Sequence, residues 1–369
     1  MPNNFLTPQI IARESLRILQ ANVLYKDLID LQFIPEFSGK IGDVVNVRKR
    51  EILDPEYYNG TNVTDQNINE TSVPVKIDRW LNTSTKITSD QLALKIQNFN
   101  AQVLEPIMIG IAQKIDKDIA FALASFAGTV KEKTASPTNL NDIAALGKQL
   151  DKNLAPATDR KLVFAVDHKY DYALTDNLSK VNYAGDNVTL REALLGRVYS
   201  FDTLMSQNNP DSIRTSAAGT ATSFKVAGTK GATTVALSTV APATGTIKAG
   251  DKFVVNGFTY TFTNDVTATS ASASNVAITP ALQTAVANTD KVTFINKPYS
   301  LAFHKECAAF VTVPLPMPEG GAMGYTANAN NISVRVIMDW DRNTKSQTLD
   351  VDVMYGIAKL NDKLIVGLA

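Results

Sequence analysis

The stretch FHKECAAFVTVPLP, residues 303–316, holds the only cysteine of the chain, Cys307, three residues after His304, one of its two histidines. A thiol and an imidazole are a nucleophile and its base, provided that the ring nitrogen lies within hydrogen-bond reach of the sulfur. In an extended strand an offset of three puts the two side chains on opposite faces, about 10 Å apart along the strand. An intervening turn would let them approach. The usual role of a lone cysteine is that of a small buried thiol. Neither a G-x-S-x-G elbow nor an H-E-x-x-H pair occurs to supply another nucleophile or metal site. A cysteine hydrolase acting through Cys307 therefore stands as one hypothesis, tested by a thiol-reactive probe and by Cys307→Ala.

Other patterns carry weaker chemistry. PEGGAMG, residues 318–324, has the glycines of a phosphate-binding loop. It lacks the Lys-Ser/Thr pair that reaches phosphate and metal, and no helical pattern follows it, so a plain loop is expected. Asp116 and Asp118 flank Lys117 between Ile115 and Ile119 and read as a solvated or subunit-facing strip of a helix rather than a metal site. VRKRE, residues 47–51, is a short basic cluster. It suits contact with nucleic acid, or salt bridges to acidic residues such as Asp54 and Glu56 of a neighbouring chain. No base-stacking aromatic pattern stands behind it.

Composition narrows the field. One cysteine excludes an intrachain disulfide, and two histidines with one cysteine are too few for a zinc site of the usual type, while carboxylate sites for Mg or Ca stay open. Thirty-six basic and 36 acidic residues balance to zero, so attraction to nucleic acid or acidic lipid is confined to local patches. With 369 residues, two or more subdomains are expected. The N-terminal MPNNFLTPQIIARESL lacks a basic region followed by an apolar run, and no stretch approaches about 18 uninterrupted apolar residues. The expectation is a soluble protein kept in a reducing compartment.

The elements that would position these residues follow from periodicity. Thr7 as N-cap and Pro8 at the first helical position open an amphipathic helix whose apolar residues are Ile10, Ile11, Leu16, Leu19 and Val23. A strand at Val44 to Val47, a polar Asn-rich stretch and a return strand VPVKIDRWLNTSTKI predict a long two-stranded arm. Such a hairpin is marginal alone, so the arm should lean on other structure, with another subunit as a candidate. From Ser89 and Asp90 to about Ser125, apolar residues from Leu92 through Ile107, Ile111, Ile115, Ile119 and Leu123 predict the longest helix. Pro106 should kink or break it near residues 101–103. Residues 140–212 alternate helix and strand, predicting a mixed sheet with helices. Between about 212 and 297 the chain becomes rich in Ala, Thr and Ser, with the Asn256-Gly257 turn between short strands. That stretch reads as an inserted small β-barrel or sandwich. A clean hairpin follows, with Val334, Val336 and Met338 on one arm, a turn at Asp341 to Lys345, and Leu349, Val351 and Val353 on the other, before a closing strand KLIVGL.

No catalytic machinery emerges from a chain rich in assembly features, and at this point the order of segments resembles the major capsid proteins of tailed bacteriophages. ARESLRILQANVLYKDLIDLQFIPEFSGKIGDVVNVRKR is similar to their N-terminal arm and the entry to their extended loop. VKIDRWLNTSTKITSDQLALKIQNF, running into IAQKIDKDIAFAL, resembles the return of that loop and the spine helix. LGRVYSFDTLMSQNNP is similar to a strand pair leading away from the axial domain, with Ser200 where Gly is commoner, and SLAFHKECAAFVTVPLP resembles the re-entry to that domain. IKAGDKFVVNGFTYTF with VAITPAL looks like the extra β-barrel of the Salmonella-podovirus-type coat proteins.

The resemblance implies an α+β tailed-phage major capsid fold with an inserted β-barrel. Its parts would be an N-terminal arm (1–35), an extended loop with peripheral-domain strands (36–88), a spine helix (89–127), an axial domain in two pieces (138–212 and 298–332) around the inserted barrel (213–297), and a peripheral hairpin with closing strand (333–369). The implied function is a structural subunit, not an enzyme and without cofactor or metal, whose copies form pentamers and hexamers of an icosahedral head around double-stranded DNA. Arg48, Lys49, Arg50, Glu51, Asp54 and Glu56 would be intersubunit charge contacts of the extended loop, and Glu319, Gly320, Gly321 and Met323 an axial loop. The implied partners are the chain itself, a scaffolding protein, a portal, a decoration protein as a further candidate, and packaged DNA through non-specific local contacts, with no membrane. The site of action would be the virion, assembled in the host cytoplasm. The competing reading is a secreted or surface β-rich adhesion module, suggested by the Thr/Ser-rich insertion. At Cys307 the capsid pattern more often holds Ala in a short turn between two strands, so that resemblance asks of the thiol only that it be small and apolar.

Overall fold

The computed structural model describes residues 8–33, 44–48, 72–88, 103–131, 133, 137–180, 195–210, 223–290, 292–294, 299–318, 323–329 and 332–369. By contacts the chain forms two compact units, one of residues 1–116 and 308–360, the other of residues 117–307 and 361–369.

The first unit is built on a six-stranded sheet. Its order is Asp30–Phe33, Ala308–Val313, Ser346–Lys359, Ile332–Asp341 and Met323–Ala329, with Arg79–Thr88 paired along the other side of Ser346–Lys359. Asp352 is opposite Arg335 on one neighbour and Asn82 on the other, which fixes the register across three strands. The expected hairpin is present: Val336 faces Val351 and Met338 faces Leu349, and the side chain of Asp341 accepts from the Asn343 amide in the turn. Pro8 begins the first helix, Pro8–Asn22, where a missing N–H is harmless. Ile11, Ala12, Ser15, Leu16, Ile18 and Leu19 are buried, a stripe that follows the helical period, and the helix packs on Met323–Ala329 and Ile332–Asp341. Ile10, expected in that stripe, is 47% exposed because it lies on the helix's outer flank. Thr7 lies outside the described residues.

The arm's two strands, Val44–Arg48 and Ser72–Lys76, pair antiparallel with Val45 opposite Val75. Their root leans on the chain's own sheet: Val47, Val75 and Ile77 pack with Ala309, Val311, Val313 and Met354. Gly356 permits this approach, since a Cβ there would collide with the Lys76 carbonyl oxygen. The long helix runs Glu105–Phe126, with Val103 and Leu104 in a π turn just before it. Pro106 is the second residue of this α-helical stretch, and residues 101 and 102, where the expected kink or break would fall, lie outside the described residues. Residues 89–102, the earlier part of the expected helix, lie outside the described residues. Ile111, Ile115, Ile119 and Leu123 are buried, as their spacing predicts.

The second unit contains a mixed six-stranded sheet in the order Thr129–Lys131, Ile365–Leu368, Ser300–His304, Arg160–Phe164, Phe201–Met205, Arg197–Val198. Helices Asn141–Lys152 and Val166–Ala173 belong to it. The sequence-order division at residue 332 does not coincide with the contact division. Ala308–Val313 joins the first unit through pairing with Ser346–Lys359, and the closing strand Ile365–Leu368 joins the second through pairing with Ser300–His304.

The inserted segment is an antiparallel six-stranded sheet, ordered Val292–Phe294, Lys252–Val255, Phe258–Phe262, Ser272–Thr279, Thr234–Ala241, Ser223–Ala227. Asn256 and Gly257 have φ of 50° and 78°, the double positive φ that a two-residue hairpin turn requires. Where a small barrel or sandwich is expected, the described residues form a curled sheet whose two outer strands are not hydrogen-bonded to each other. The seam is filled by side chains, with the rings of Phe224 and Phe294 at 4.6 Å, and the three-residue strand Val292–Phe294 offers few backbone groups for closure. Phe224, Phe253 and Phe262 fill the interior. Two buried polar contacts fasten this sheet to its unit. Lys252 donates to the Ala127 carbonyl at the end of the long helix, where a cation also meets the negative end of the helix dipole. The Thr259 hydroxyl accepts from the Val130 amide at 3.1 Å and donates to the Val130 carbonyl at 3.0 Å.

Candidate functional site

The strand Ser300–His304 ends in a single helical turn, Lys305–Cys307, before the strand Ala308–Val313. This is the turn that could have brought thiol and imidazole together. His304 instead caps it, with Nδ1 accepting from the Glu306 amide at 3.3 Å. Cys307 is 1% exposed and its carbonyl accepts from the Asn361 amide at 3.1 Å. Burial, the largest influence, lowers the His304 pKa, which favours the neutral ring that accepting requires. A thiol shut off from solvent meets no substrate, so the arrangement stabilises a turn and performs no transfer.

A second nucleophile–base pair, not singled out from the sequence, links residues 132 positions apart. His168 Nδ1 lies 2.8 Å from Ser300 Oγ, and Ser300 Oγ accepts from the Ala165 amide at 2.9 Å. Burial, followed by the nearby Lys133, pushes the His168 pKa down to about 4, so the ring is neutral near pH 7 and shares one hydrogen bond with the serine hydroxyl through Nδ1. Ser300 and His168 are both buried, and the grooves at 144–160/199–200, 236–237/264–276 and 13–20/325–329 are lined by none of His168, Ser300, His304 or Cys307. The pair ties helix Val166–Ala173 to the start of the interior strand Ser300–His304.

The acidic strip on the long helix is also corrected. Asp116 is 2% exposed, not solvated: its two carboxylate oxygens accept from the Leu24 amide at 3.1 Å and the Tyr25 amide at 3.2 Å. Those amides follow the first helix, and two N–H donors on one carboxylate are what let it sit in that core. Among the described residues no three His, Cys, Asp or Glu side chains are grouped as a metal site would need, and no helix is long and apolar enough to cross a membrane.

Of the expected contact residues, Arg48 is described only as backbone, paired with Ser72. Lys49, Arg50, Glu51, Asp54 and Glu56 lie outside the described residues, as do Glu319, Gly320 and Gly321. Met323 begins a strand of the first unit and is 67% exposed. The segment before it is held to the same sheet, because Arg335 donates to the Pro316 carbonyl at 2.6 Å. Arg335 also binds the buried carboxylate of Asp352 through Nη2 at 2.6 Å and Nε at 3.1 Å. Asp352 further accepts from Asn82 at 2.7 Å and from the Trp80 indole at 3.1 Å. This network crosses three strands, and periodicity alone could not have found it.

No protein-family model matches the sequence, and no curated protein matches it. Solved structures do. The chain is similar to a chain of the capsid structure of Cyanophage P-SCSP1u, with 15% identity, 94% of this chain and 87% of that one covered, and a TM-score of 0.52. It is also similar to a chain in the asymmetric unit of the mature capsid of bacteriophage PhiM1, with 9% identity, 100% and 89% covered, and a TM-score of 0.51. At the level of the fold the chain is thus like these two capsid structures over nearly its whole length.

Proposed function

We propose that the chain is the major capsid protein of a tailed bacteriophage. The observation that carries this reading is the likeness of fold to two phage capsid structures over nearly the whole chain. The chemistry of the interior supports it: His168, Ser300, His304, Cys307 and Asp116 are buried groups engaged in fixing turns and helices. Many copies assemble as hexamers and pentamers of an icosahedral head enclosing double-stranded DNA, with scaffolding protein, portal and a decoration protein as further partners. DNA is met through local patches only, as the zero net charge implies. Assembly takes place in the host cytoplasm and the product is the virion head.

In this reading the inserted sheet between Ser223 and Phe294 corresponds to the extra domain of Salmonella-podovirus-type coat proteins. Arg48, Lys49, Arg50, Glu51, Asp54 and Glu56 carry arm-to-neighbour contacts by complementary charge, and Glu319, Gly320, Gly321 and Met323 form a loop near the capsomer axis. The test is direct. Full-length protein, purified and examined by negative-stain electron microscopy and sedimentation, is expected to form shells or capsomers; a monomer at every salt and protein concentration overturns the reading.

A further inference from the structure

The second unit carries two surfaces of opposite character. One is a groove of about 560 Å³ between one flank of helix Asn141–Lys152, from Ala144 to Lys152, and the Tyr199–Ser200 turn. Ala144 and Gly147 keep its helical wall low, and Gly147 lies against the Phe201 ring. Lys148 and Lys152, one helical turn apart, are exposed at its rim, and neither has an ion pair among the described residues. The third cation there, Arg160, is already neutralised by Asp151 at 2.7 Å. The groove is thus open and positive.

The other surface is the outer face of helix Val166–Ala173. His168 and Tyr172 point inward and are buried. Val166, Tyr170 and Leu174, at spacing i, i+4, i+8, are 38%, 51% and 79% exposed and form a largely apolar ridge, with the Lys169 ammonium 5.6 Å from the centre of the Tyr170 ring. Asp167 beside them is exposed and without an ion pair among the described residues. Three large apolar side chains in line are what a soluble surface avoids unless something covers them.

The two surfaces face different ways. The Tyr172 hydroxyl donates to Asp142 at 2.9 Å, so the inward side of the ridge helix is the side fixed to the first turn of helix Asn141–Lys152, whereas Val166, Tyr170 and Leu174 lie on its exposed side. A ridge turned away from the helix that walls the groove does not cover that groove within one copy, but it can cover the groove of another copy.

We propose that the ridge Val166, Tyr170, Leu174 of one copy seats in the groove of the next, with Asp167 approaching Lys148 and Lys152. The contact is heterologous, head to tail, and each copy that accepts a ridge still offers one, so repetition closes a ring. This rests on the capsid reading and goes beyond it by naming the surfaces through which copies of the second unit meet.

The test uses full-length protein in a Cys307→Ala background, with Leu174→Cys and Lys148→Cys combined and a short bis-maleimide added. A denaturing gel is expected to show a ladder of covalent multimers, whereas either introduced cysteine alone leaves the monomer. Particles visible by electron microscopy without a ladder overturn the contact and leave the capsid reading standing; a chain that stays monomeric overturns both. Tyr170→Ser with Leu174→Ser, both exposed, is expected to lower the assembled fraction at least tenfold with the monomer's thermal midpoint unchanged. Assembly at the parent level would also overturn the contact.

Discussion

Lowering the pH should loosen the second unit through one histidine, and the size of the effect follows from its surroundings. His168 is 3% exposed, is hydrogen-bonded through Nδ1 to the Ser300 hydroxyl, and has Lys133 near it, itself bridged to Asp171 at 2.7 Å. Burial and Lys133 depress the pKa from 6.5 to about 4, against the opposing pull of Asp171, Asp167 and Asp142. Between those values the unfolded chain binds a proton that the folded chain refuses, so stability rises with pH across this window. The contribution is fully present above pH 6.5 and is lost as the pH falls toward 4. At 1.36 kcal/mol per pH unit the gap between 6.5 and about 4 corresponds to roughly 3 kcal/mol. Acidic pH also weakens carboxylate contacts, so the comparison needs a variant that keeps the hydrogen bond and loses the titration. His168→Asn places an uncharged amide, able to donate or accept, where Nδ1 now meets the Ser300 hydroxyl. Urea unfolding of the unassembled protein at intervals from pH 7.5 to 4.5 should show the parent losing about 3 kcal/mol more than this variant. Parallel curves for the two proteins would refute the argument.

Gly356→Ala should cost about 1–3 kcal/mol, because the new methyl meets the Lys76 carbonyl, which cannot rotate away, and proteolysis should then reach residues 72–77 more readily. Cys307→Ala should leave assembly unchanged and alter stability by less than about 1.5 kcal/mol, whereas Cys307→Phe, which has no room in a site 1% exposed, should fail to give soluble protein. Ser200→Gly should stabilise by about 1 kcal/mol in thermal unfolding, since Ser200 is held at φ 71°, where a Cβ is unfavourable. An unchanged or lower midpoint would show that the serine side chain makes up for the strain.

Local rules made several elements legible. Pro8 at the head of the first helix, the Asn256-Gly257 turn, the alternation of Val334 and Val336 against Val351 and Val353, and the stripe Ile111, Ile115, Ile119, Leu123 all depend on neighbours within a few residues. Ser200 in place of a commoner glycine was likewise a trace in the sequence of a left-handed turn. The open seam of the inserted sheet was not legible, because closure depends on whether its first and last strands meet, about 65 residues apart, and turn chemistry is silent about that.

By itself the sequence determined the periodicities, the turns, the neutral charge balance and the scarcity of cysteine and histidine, which together argued for an assembling structural protein over an enzyme. Only the tertiary structure decided what the ionisable and nucleophilic groups do. Asp116 meets amides 91 and 92 residues away, His168 meets Ser300 132 residues away, and Lys252 meets the Ala127 carbonyl. Each of these groups is tolerated in the interior by a hydrogen-bond partner that chain separation hides, and it is that partner, not the residue type, that turns a candidate for chemistry into a fastening of the fold.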